Sequence, residues 1–325
     1  MGIVGFGRMG SYHADRLALR PEFRLAAVCD AVEARRALAA ETCRVPVFES
    51  YPDFLRAGDT DVVFVCTPSS SHAAMAVEAF RAGKHTVVEK PMCLNAGEAR
   101  EMIAEAQKAG RMLTVVQNRR WDDAFRTALE VVRSGRLGAL ETVKFIACGY
   151  SNLMQTYGVK EFVTDWRARR MFGGGLLYDF GAHYLDQLLL LVDSPVVDVY
   201  GDLRMRRMSS EVDDTFTAML RLAGGVTAQV EISHADFAPL VTGWLLCGSR
   251  GGYRDFKVYT LEDGEVVESE VERLPTDWDQ FYENLGRHLL AGEPLAVTPE
   301  HALKVISVLD AVRRSAECRH VVQLS

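Results

Sequence analysis

The chain has no surplus of positive charge: 37 lysines and arginines stand against 44 aspartates and glutamates, a formal net charge of -7 over 325 residues. That excludes a global basic footprint for phosphate backbones or anionic lipid, so neither a nucleic-acid partner nor a membrane partner is expected. Arg119-Arg120 and Arg167-Ala168-Arg169-Arg170 are dense basic spots. Short clusters of this kind ordinarily form a solvated face. Long apolar runs are missing as well; Leu188 to Val192 is typical of the longest, far too short to span a bilayer. No basic segment leads into an apolar core ahead of the first strand pattern, so no signal peptide is expected. Paired cysteine spacings are absent: Cys29, Cys43, Cys66, Cys93, Cys148, Cys247 and Cys318 show no Cys-x-x-Cys motif and are odd in number. Reduced thiols in a cytoplasmic protein fit this usage, and neither a disulfide framework nor a metal site does. Internal repeats and low-complexity segments are lacking too.

What is present is an ordinary globular composition, 48% hydrophobic and 25% charged, on a chain long enough for two domains. From residue 1 to about 117, β-branched runs (Ile3-Val4, Leu25 to Cys29, Val45 to Phe48, Val62 to Cys66, Thr86 to Val88, Leu113 to Val116) alternate with helical stretches. Those stretches are Ser11 to Leu19, Val32 to Ala40, Ala73 to Ala82 and Ala96 to Ala109. Continuous runs such as Val62 to Cys66 suit strands buried on both faces, and the alternation predicts a doubly wound parallel sheet. Beyond about residue 120 the pattern changes to a helix over Ala124 to Arg133, period-2 alternation over Leu140 to Cys148, and a hairpin around Gly224-Gly225. A second hairpin is signalled at Asp263-Gly264, and a last helix over Pro299 to Ala316. The expected fold is therefore α/β: an N-terminal doubly wound domain over 1–118, then an α+β domain over 119–325 with a large, mostly antiparallel open sheet. The outer face of that sheet carries enough Thr, Met and apolar residues for a second copy to cover it, so a homodimer or homotetramer is expected.

The stretch "IVGFGRMG" places Gly5, Gly7 and Gly10, with Phe6, Arg8 and Met9 between them, where the first strand turns into the first helix. A tight turn, close approach of backbone to a pyrophosphate, and helix-on-strand packing each need glycine there, and the helix N-terminus faces the anion. Asp30 closes the second strand twenty residues after Gly10, where a carboxylate accepts from ribose hydroxyls. This is the context a Rossmann dinucleotide site requires. An ionised Asp30 would repel a 2'-phosphate and Ala31-Val32 offer no cation, so NAD is expected rather than NADP; Arg35 and Arg36 lie one turn further on.

Ligands of such sheets bind at the carboxyl ends of the strands. That puts Cys66, Thr67, Pro68 and His72 after the fourth strand, and Glu89, Lys90 and Pro91 after the fifth, on the cofactor side. Lys90 is either a working ammonium or a surface lysine paired with Glu89. Further on, "FGGGLLYDFGAHYLDQLLLLV" (172–192) reads as a buried apolar helix, 175–192, carrying Asp179 and His183 at i, i+4 on one face. Burying such a pair is costly unless partners compensate, so it is either a satisfied core pair or a site. The remaining histidines, His13 and His234 among them, read as ordinary surface or core residues.

Taken together, the Gly5/Gly7/Gly10 loop, Thr67-Pro68 with His72, Glu89-Lys90-Pro91, and Gly173-Gly174-Gly175 ahead of Asp179-x-Gly181-x-His183 resemble the Gfo/Idh/MocA oxidoreductases, from the first residue to at least Val192. "QNRRWDDAF" (117–125) looks closest to a branch with scyllo-inositol dehydrogenase-like enzymes. The resemblance implies that Lys90 sits near the nicotinamide and the reacting carbon, and that Asp179 and His183 flank the substrate. It implies that Trp166-Arg167 approach the nicotinamide, that Asn118 and Arg119 line the floor of the cleft, and that a late tyrosine, here Tyr282, reaches the substrate.

The expected activity is thus hydride transfer between NAD and a polyhydroxylated small molecule such as a sugar, an inositol or a keto derivative. His183, an imidazole and so of the side-chain type that titrates nearest neutral pH, takes and returns the hydroxyl proton. Asp179 holds the substrate or the imidazolium, and Lys90 donates to the same oxygen. The alternatives are a catalytically silent nucleotide sensor on the same scaffold, and a glycosidase-like enzyme with NAD as a recycled prosthetic group.

Overall fold

The computed structural model describes residues 1–57, 59–238 and 241–324. Spatial clustering groups Met1–Gln117, Leu153–Gly174 and Asp279–Ile306 into one compact unit, and Asn118–Asn152, Gly175–Trp278 and Ser307–Ser325 into another. Two later stretches of chain thus belong to the first unit.

In the first unit, six parallel strands, β1 (Gly2–Val4), β2 (Ala27–Cys29), β3 (Val47–Phe48), β4 (Val62–Val65), β5 (His85–Val88) and β6 (Leu113–Val115), lie in the order β3-β2-β1-β4-β5-β6. This is the doubly wound order that binds dinucleotides at the point where the strand sequence reverses, between β1 and β4. All four residues of β4 are buried, as its unbroken apolar run requires. Helices α1 (Arg8–Ala18), α2 (Glu33–Cys43), α3 (Tyr51–Ala57), α4 (His72–Arg81) and α5 (Ala96–Ala109) make the crossovers. The start of α5 is fixed reciprocally: the Asn95 side chain accepts from the Glu98 N–H at 2.9 Å, and the Glu98 carboxylate accepts from the Leu94 N–H at 2.9 Å. Helix α3 is not among the helices expected from the sequence. Its seven residues are too few to display a period, yet Pro52 in its first turn and buried Phe54 account for it.

The second unit holds a nine-stranded sheet of β7 (Leu140–Cys148), β8 (Val196–Arg204), β9 (Thr215–Leu222), β10 (Thr227–Ser233), β11 (Val241–Gly248), β12 (Gly251–Arg254), β13 (Lys257–Glu262), β14 (Glu265–Glu270) and β15 (Val322–Gln323). Its order is β14-β13-β12-β11-β7-β10-β9-β8-β15, antiparallel throughout except for the β7/β10 pair. The β9/β10 hairpin turns at Gly225 with φ +83°, and the β13/β14 hairpin at Asp263-Gly264 with φ +49° and +85°. Alternation then puts Phe216, Ala218 and Leu220 beside Ala228, Val230 and Ile232 on the buried face. Tyr200 and Met219, cross-strand neighbours, stand on the exposed one.

Helix α6 (Asp123–Arg133) and the helical segment after Gly175 cover the buried face; Tyr184 stacks on Phe145 at 3.7 Å between ring centroids. That segment departs from the regular helix expected over 175–192. It opens with a π-helical turn, Leu177–Gly181, and becomes α-helical only over Ala182–Leu191. After a single turn at Leu153–Thr156 (α7), we number this helix α8, followed by α9 (Asp279–Ala291) and α10 (Pro299–Cys318). Gly181 packs flat against Phe216 and Leu309, where a Cβ would be tight at 3.1 Å from the Phe216 ring, and its bare backbone lets the wider turn form.

Candidate active site

The glycine turn of the first unit has the geometry a phosphate cradle needs. Gly5 adopts φ +88°, and a Cβ there would lie 2.7 Å from the Cys66 backbone. A Cβ on Gly10 would overlap the Gly5 carbonyl, whereas one on Gly7 would meet nothing within 4 Å. The turn is therefore closed against the protein and open at Gly7, the fit expected of a loop whose N–H groups face a pyrophosphate at the head of α1. Asp30 braces this turn: its carboxylate accepts from the Phe6 N–H at 2.6 Å and the Val32 N–H at 2.8 Å. The two cations that follow Asp30 in sequence are both engaged. Arg35 pairs with Glu161, and Arg36 with Glu49 at 3.0 Å and with the Asp30 and Ala31 carbonyls.

At the ends of β4 and β5 the expected residues come together, although several serve the protein rather than a ligand. His72 is buried, with its two ring nitrogens 2.8 Å from the carbonyls of Pro91 and Thr67; it staples one strand-end loop to the other. Burial holds its pKa below the ordinary value. Cys66 is likewise kept protonated by burial. Glu89 turns inward: one oxygen lies 2.8 Å from His13 Nε2 and the other accepts from the Lys90 backbone N–H at 3.1 Å. His13 Nδ1 lies 2.7 Å from the Tyr282 hydroxyl.

A carboxylate only accepts, so His13 Nε2 carries the proton. Burial raises the Tyr282 pKa, so its hydroxyl keeps its proton and donates to Nδ1. The Glu89 carboxylate is bound to His13 and to the Lys90 backbone N–H. Tyr282, expected at the substrate, is 2% exposed and commits its hydroxyl inside the first unit. His13 itself, taken as an ordinary histidine, is the hub of the network; its place on the buried face of α1 with Gly10, Ala14 and Leu17 was the available signal.

Residues 153–174 bring further groups to the glycine loop. Arg8 Nε donates to the Gly158 carbonyl at 3.1 Å, and its guanidinium lies 5.0 Å from the Tyr157 ring. Arg167 lies 4.6 Å from the same ring and 4.2 Å from that of Trp166. Tyr157, which no sequence motif marks, thus gathers Arg8, Met9 and the Trp166–Ala168 turn on one side of the loop.

The second unit presents the other group. Gly175, at φ +113°, lets the chain turn against Asp213; the Asp213 carboxylate and carbonyl accept from the Leu177 and Leu176 N–H groups at 2.7 and 2.9 Å. Asp213 therefore caps the π turn that carries Asp179, and His183, 6% exposed, follows in the first turn of α8. Burial pushes the Asp213 carboxyl up to about 7, outweighing these donors.

The Asn118–Trp121 turn is strapped to α8. Arg120 makes a bidentate pair with Asp186 at 2.7 and 2.6 Å, and the Gln187 amide donates to the Arg119 carbonyl. Arg119, thus held, pairs with Asp122 at 3.1 Å and lies 5.8 Å from the Phe180 ring. The expectation of a solvated face at Arg119-Arg120 is corrected, since the Arg120 side chain is 9% exposed and its partner 1%. No group of residues suited to a metal ion occurs among the described residues. No helix among them is long and apolar enough to cross a membrane.

A six-stranded doubly wound sheet with this loop, followed by a nine-stranded sheet carrying an apolar helix with His183 in its first turn, defines an NAD-binding oxidoreductase. Residues 1–117 match the family described as "Oxidoreductase family, NAD-binding Rossmann fold", and residues 125–254 match "GFO/IDH/MocA C-terminal domain". The chain is 30% identical over 288 residues to "Uncharacterized oxidoreductase YdgJ" of Escherichia coli (strain K12), covering 86% of this chain and 76% of that one. It is 23% identical to "scyllo-inositol 2-dehydrogenase (NADP(+)) IolW" of Bacillus subtilis (strain 168), covering 100% and 95%. Among solved structures, a NAD-binding protein from Listeria innocua superposes with a TM-score of 0.85 at 28% identity, covering 99% of this chain and 96% of that one. The chain belongs to the Gfo/Idh/MocA family of oxidoreductases.

Proposed function

We propose that this oxidoreductase moves a hydride between NAD and a carbon bearing a hydroxyl on a polyhydroxylated small molecule: a sugar, an inositol or a keto derivative. The observation that carries the reading is the pair Asp179 and His183, held in an apolar helix whose first turn is widened, capped by Asp213 and strapped through Asp186. A core pair would need none of this apparatus.

When bound, NAD supplies the hydride acceptor; Gly5, Phe6, Gly7, Arg8, Met9, Gly10, Asp30 and the β4 and β5 ends are the residues to hold it. In the oxidative direction His183 takes the hydroxyl proton, and it returns that proton in reduction. Asp179 holds the hydroxyl or steadies the imidazolium, and the Lys90 ammonium offsets charge developing on the alkoxide oxygen. Asn118 and Arg119 contribute to substrate binding, and Trp166 and Arg167 to the nicotinamide end.

The preference for NAD over NADP is supported by Asp30 and by the pairing of Arg35 and Arg36 with Glu161 and Glu49, which leaves no cation of that segment for a 2'-phosphate. The name of the Bacillus subtilis relative supports an inositol-like substrate. The exposed face around Tyr200 and Met219 supports a homo-oligomer formed through the nine-stranded sheet. Incubating the protein with NAD and, in turn, myo-inositol, scyllo-inositol and D-glucose tests the reaction. The expected result is nicotinamide reduction with at least one of them, and NAD binding with no reduction by any would overturn it.

A further inference from the structure

His234 follows β10 directly. Its backbone is tied on both sides: its N–H donates to the Asp214 carbonyl at 3.0 Å, and its carbonyl accepts from the Ser151 N–H at 3.0 Å. The side chain is 8% exposed and stands edge-on to Phe180, the residue after Asp179, at 5.0 Å between centroids and 74° between planes. Its Nδ1 is buried with no hydrogen-bond partner. His13 and His72, the other buried imidazoles next to candidate site residues, have a partner on each ring nitrogen. Such an orphan needs an explanation.

The tautomer follows from the burial. A proton on Nδ1 would be a buried N–H donor without an acceptor, the costlier way to leave a group unmet. The neutral ring therefore carries its proton on Nε2. Two carboxylates act on the ring, Asp179 and Asp214, and both favour the cation; burial outweighs them and keeps the pKa below the ordinary value.

We infer that His234 is a substrate-specificity residue: a neutral imidazole whose Nε2–H donates to the oxygen of a substrate hydroxyl other than the one oxidised, a hydroxyl that in turn donates to Asp179. The pairing is complementary in chemistry, because a carboxylate only accepts and this imidazole nitrogen only donates, while a hydroxyl does both. A site built this way favours a hydroxyl over hydrogen at that carbon, since the deoxy analogue leaves the Nε2–H without its acceptor. The inference rests on the reading that Asp179 and His183 handle a polyol, and it adds a third side chain to that group.

The test uses the full chain, NAD, the polyol of the three above that is oxidised best, and its monodeoxy analogues. His234→Phe is expected to raise KM by about 10- to 100-fold with kcat within about threefold of wild type. His234→Gln, whose amide N–H reaches close to the Nε2 position, is expected to recover most of the loss. One monodeoxy analogue should be a poor substrate of the wild type and no poorer for His234→Phe. In the protein without substrate, two-bond nitrogen–proton NMR couplings should show the Nε2–H form from pH 6 to 8. An unchanged KM in His234→Phe, a protonated Nδ1, or equal loss on every analogue would overturn the inference. Absence of nicotinamide reduction by wild type falls on the proposed reaction, whereas an active wild type with an indifferent His234→Phe falls on His234 alone.

Discussion

At the end of β5 the Glu89 carboxylate is spent on His13 and on the Lys90 backbone N–H. Glu89, 6% exposed, is held by His13, which is held in turn by Tyr282, a chain of hydrogen bonds in which each buried group has a partner. Removing the hub is therefore costlier than removing the tip. His13→Ala leaves a buried carboxylate uncompensated and should cost about 3 kcal/mol or more in denaturant unfolding, while Tyr282→Phe should cost about 1 kcal/mol. Burial alone would raise the Glu89 pKa, but the bond from His13 and the charge of Lys90 outweigh it and bring the value below 4.5. The folded-state pKa is thus depressed. The stability Glu89 contributes is present above about pH 4.5 and is lost as pH falls through its folded value, so acid unfolding of His13→Ala should be less steep than that of wild type. At this scale the sequence was legible where backbone geometry dictates the residue type. Gly5 and Gly10 are forced by a positive φ and a close approach, and Asp30 by its place after β2. The Tyr282–His13 bond was not legible, because its partners lie 269 positions apart and nothing local demands either.

At the level of the element, the π turn, with the Asp213 cap that holds it, is the feature that sets Asp179 and His183 in place. Asp213 is buried and its carboxyl is raised from 3.8 to about 7. A raised folded-state value means its contribution is fully present below the unfolded pKa and is lost as pH rises through about 7. Thermal stability should therefore fall between about pH 4 and pH 7, by about 1.4 kcal/mol for each step of one in pH. Asp213→Asn keeps an acceptor for the Leu177 N–H and loses the charge. Its melting temperature should lack that component of the slope and equal or exceed wild type at pH 8; a wild-type slope in the variant would refute the assignment. The elements themselves were readable where a period or turn chemistry marks them: the six strands of the parallel sheet from β-branched runs, the hairpins from Gly225 and Asp263-Gly264. The π turn could not be read from period, because one extra residue per turn looks like an ordinary apolar helix until Asp213 and Gly175 are seen together. The strap from Arg120 to Asp186 joins positions 66 apart, and a pair of arginines alone does not announce a buried partner.

For the whole molecule, the doubly wound sheet and the family follow from the glycine loop, the Glu89-Lys90-Pro91 end of β5 and the Asp179/His183 helix, all visible in the sequence. What it did not display is which later segments join the first unit: 153–174 and 279–306 return to it, and they bring Tyr157 and Tyr282. Two outcomes belong to this scale. With Arg35 and Arg36 paired, kcat/KM for NAD should exceed that for NADP by at least about tenfold, and Glu161→Ala with Glu49→Ala, which remove both carboxylate partners, should narrow the gap. Light scattering should give a mass above that of one chain, and Met219→Lys with Tyr200→Glu should give a monomer whose stability is within about 0.5 kcal/mol per substitution of wild type.

The measurement that bears most directly on the central claim is the steady-state rate of His183→Ala with NAD and the best polyol, alongside its NAD affinity. The account predicts a fall in kcat of about 10²- to 10⁴-fold with NAD binding unchanged, because the variant loses its proton acceptor and keeps its cofactor loop. Turnover close to wild type, with NAD still bound, would contradict it.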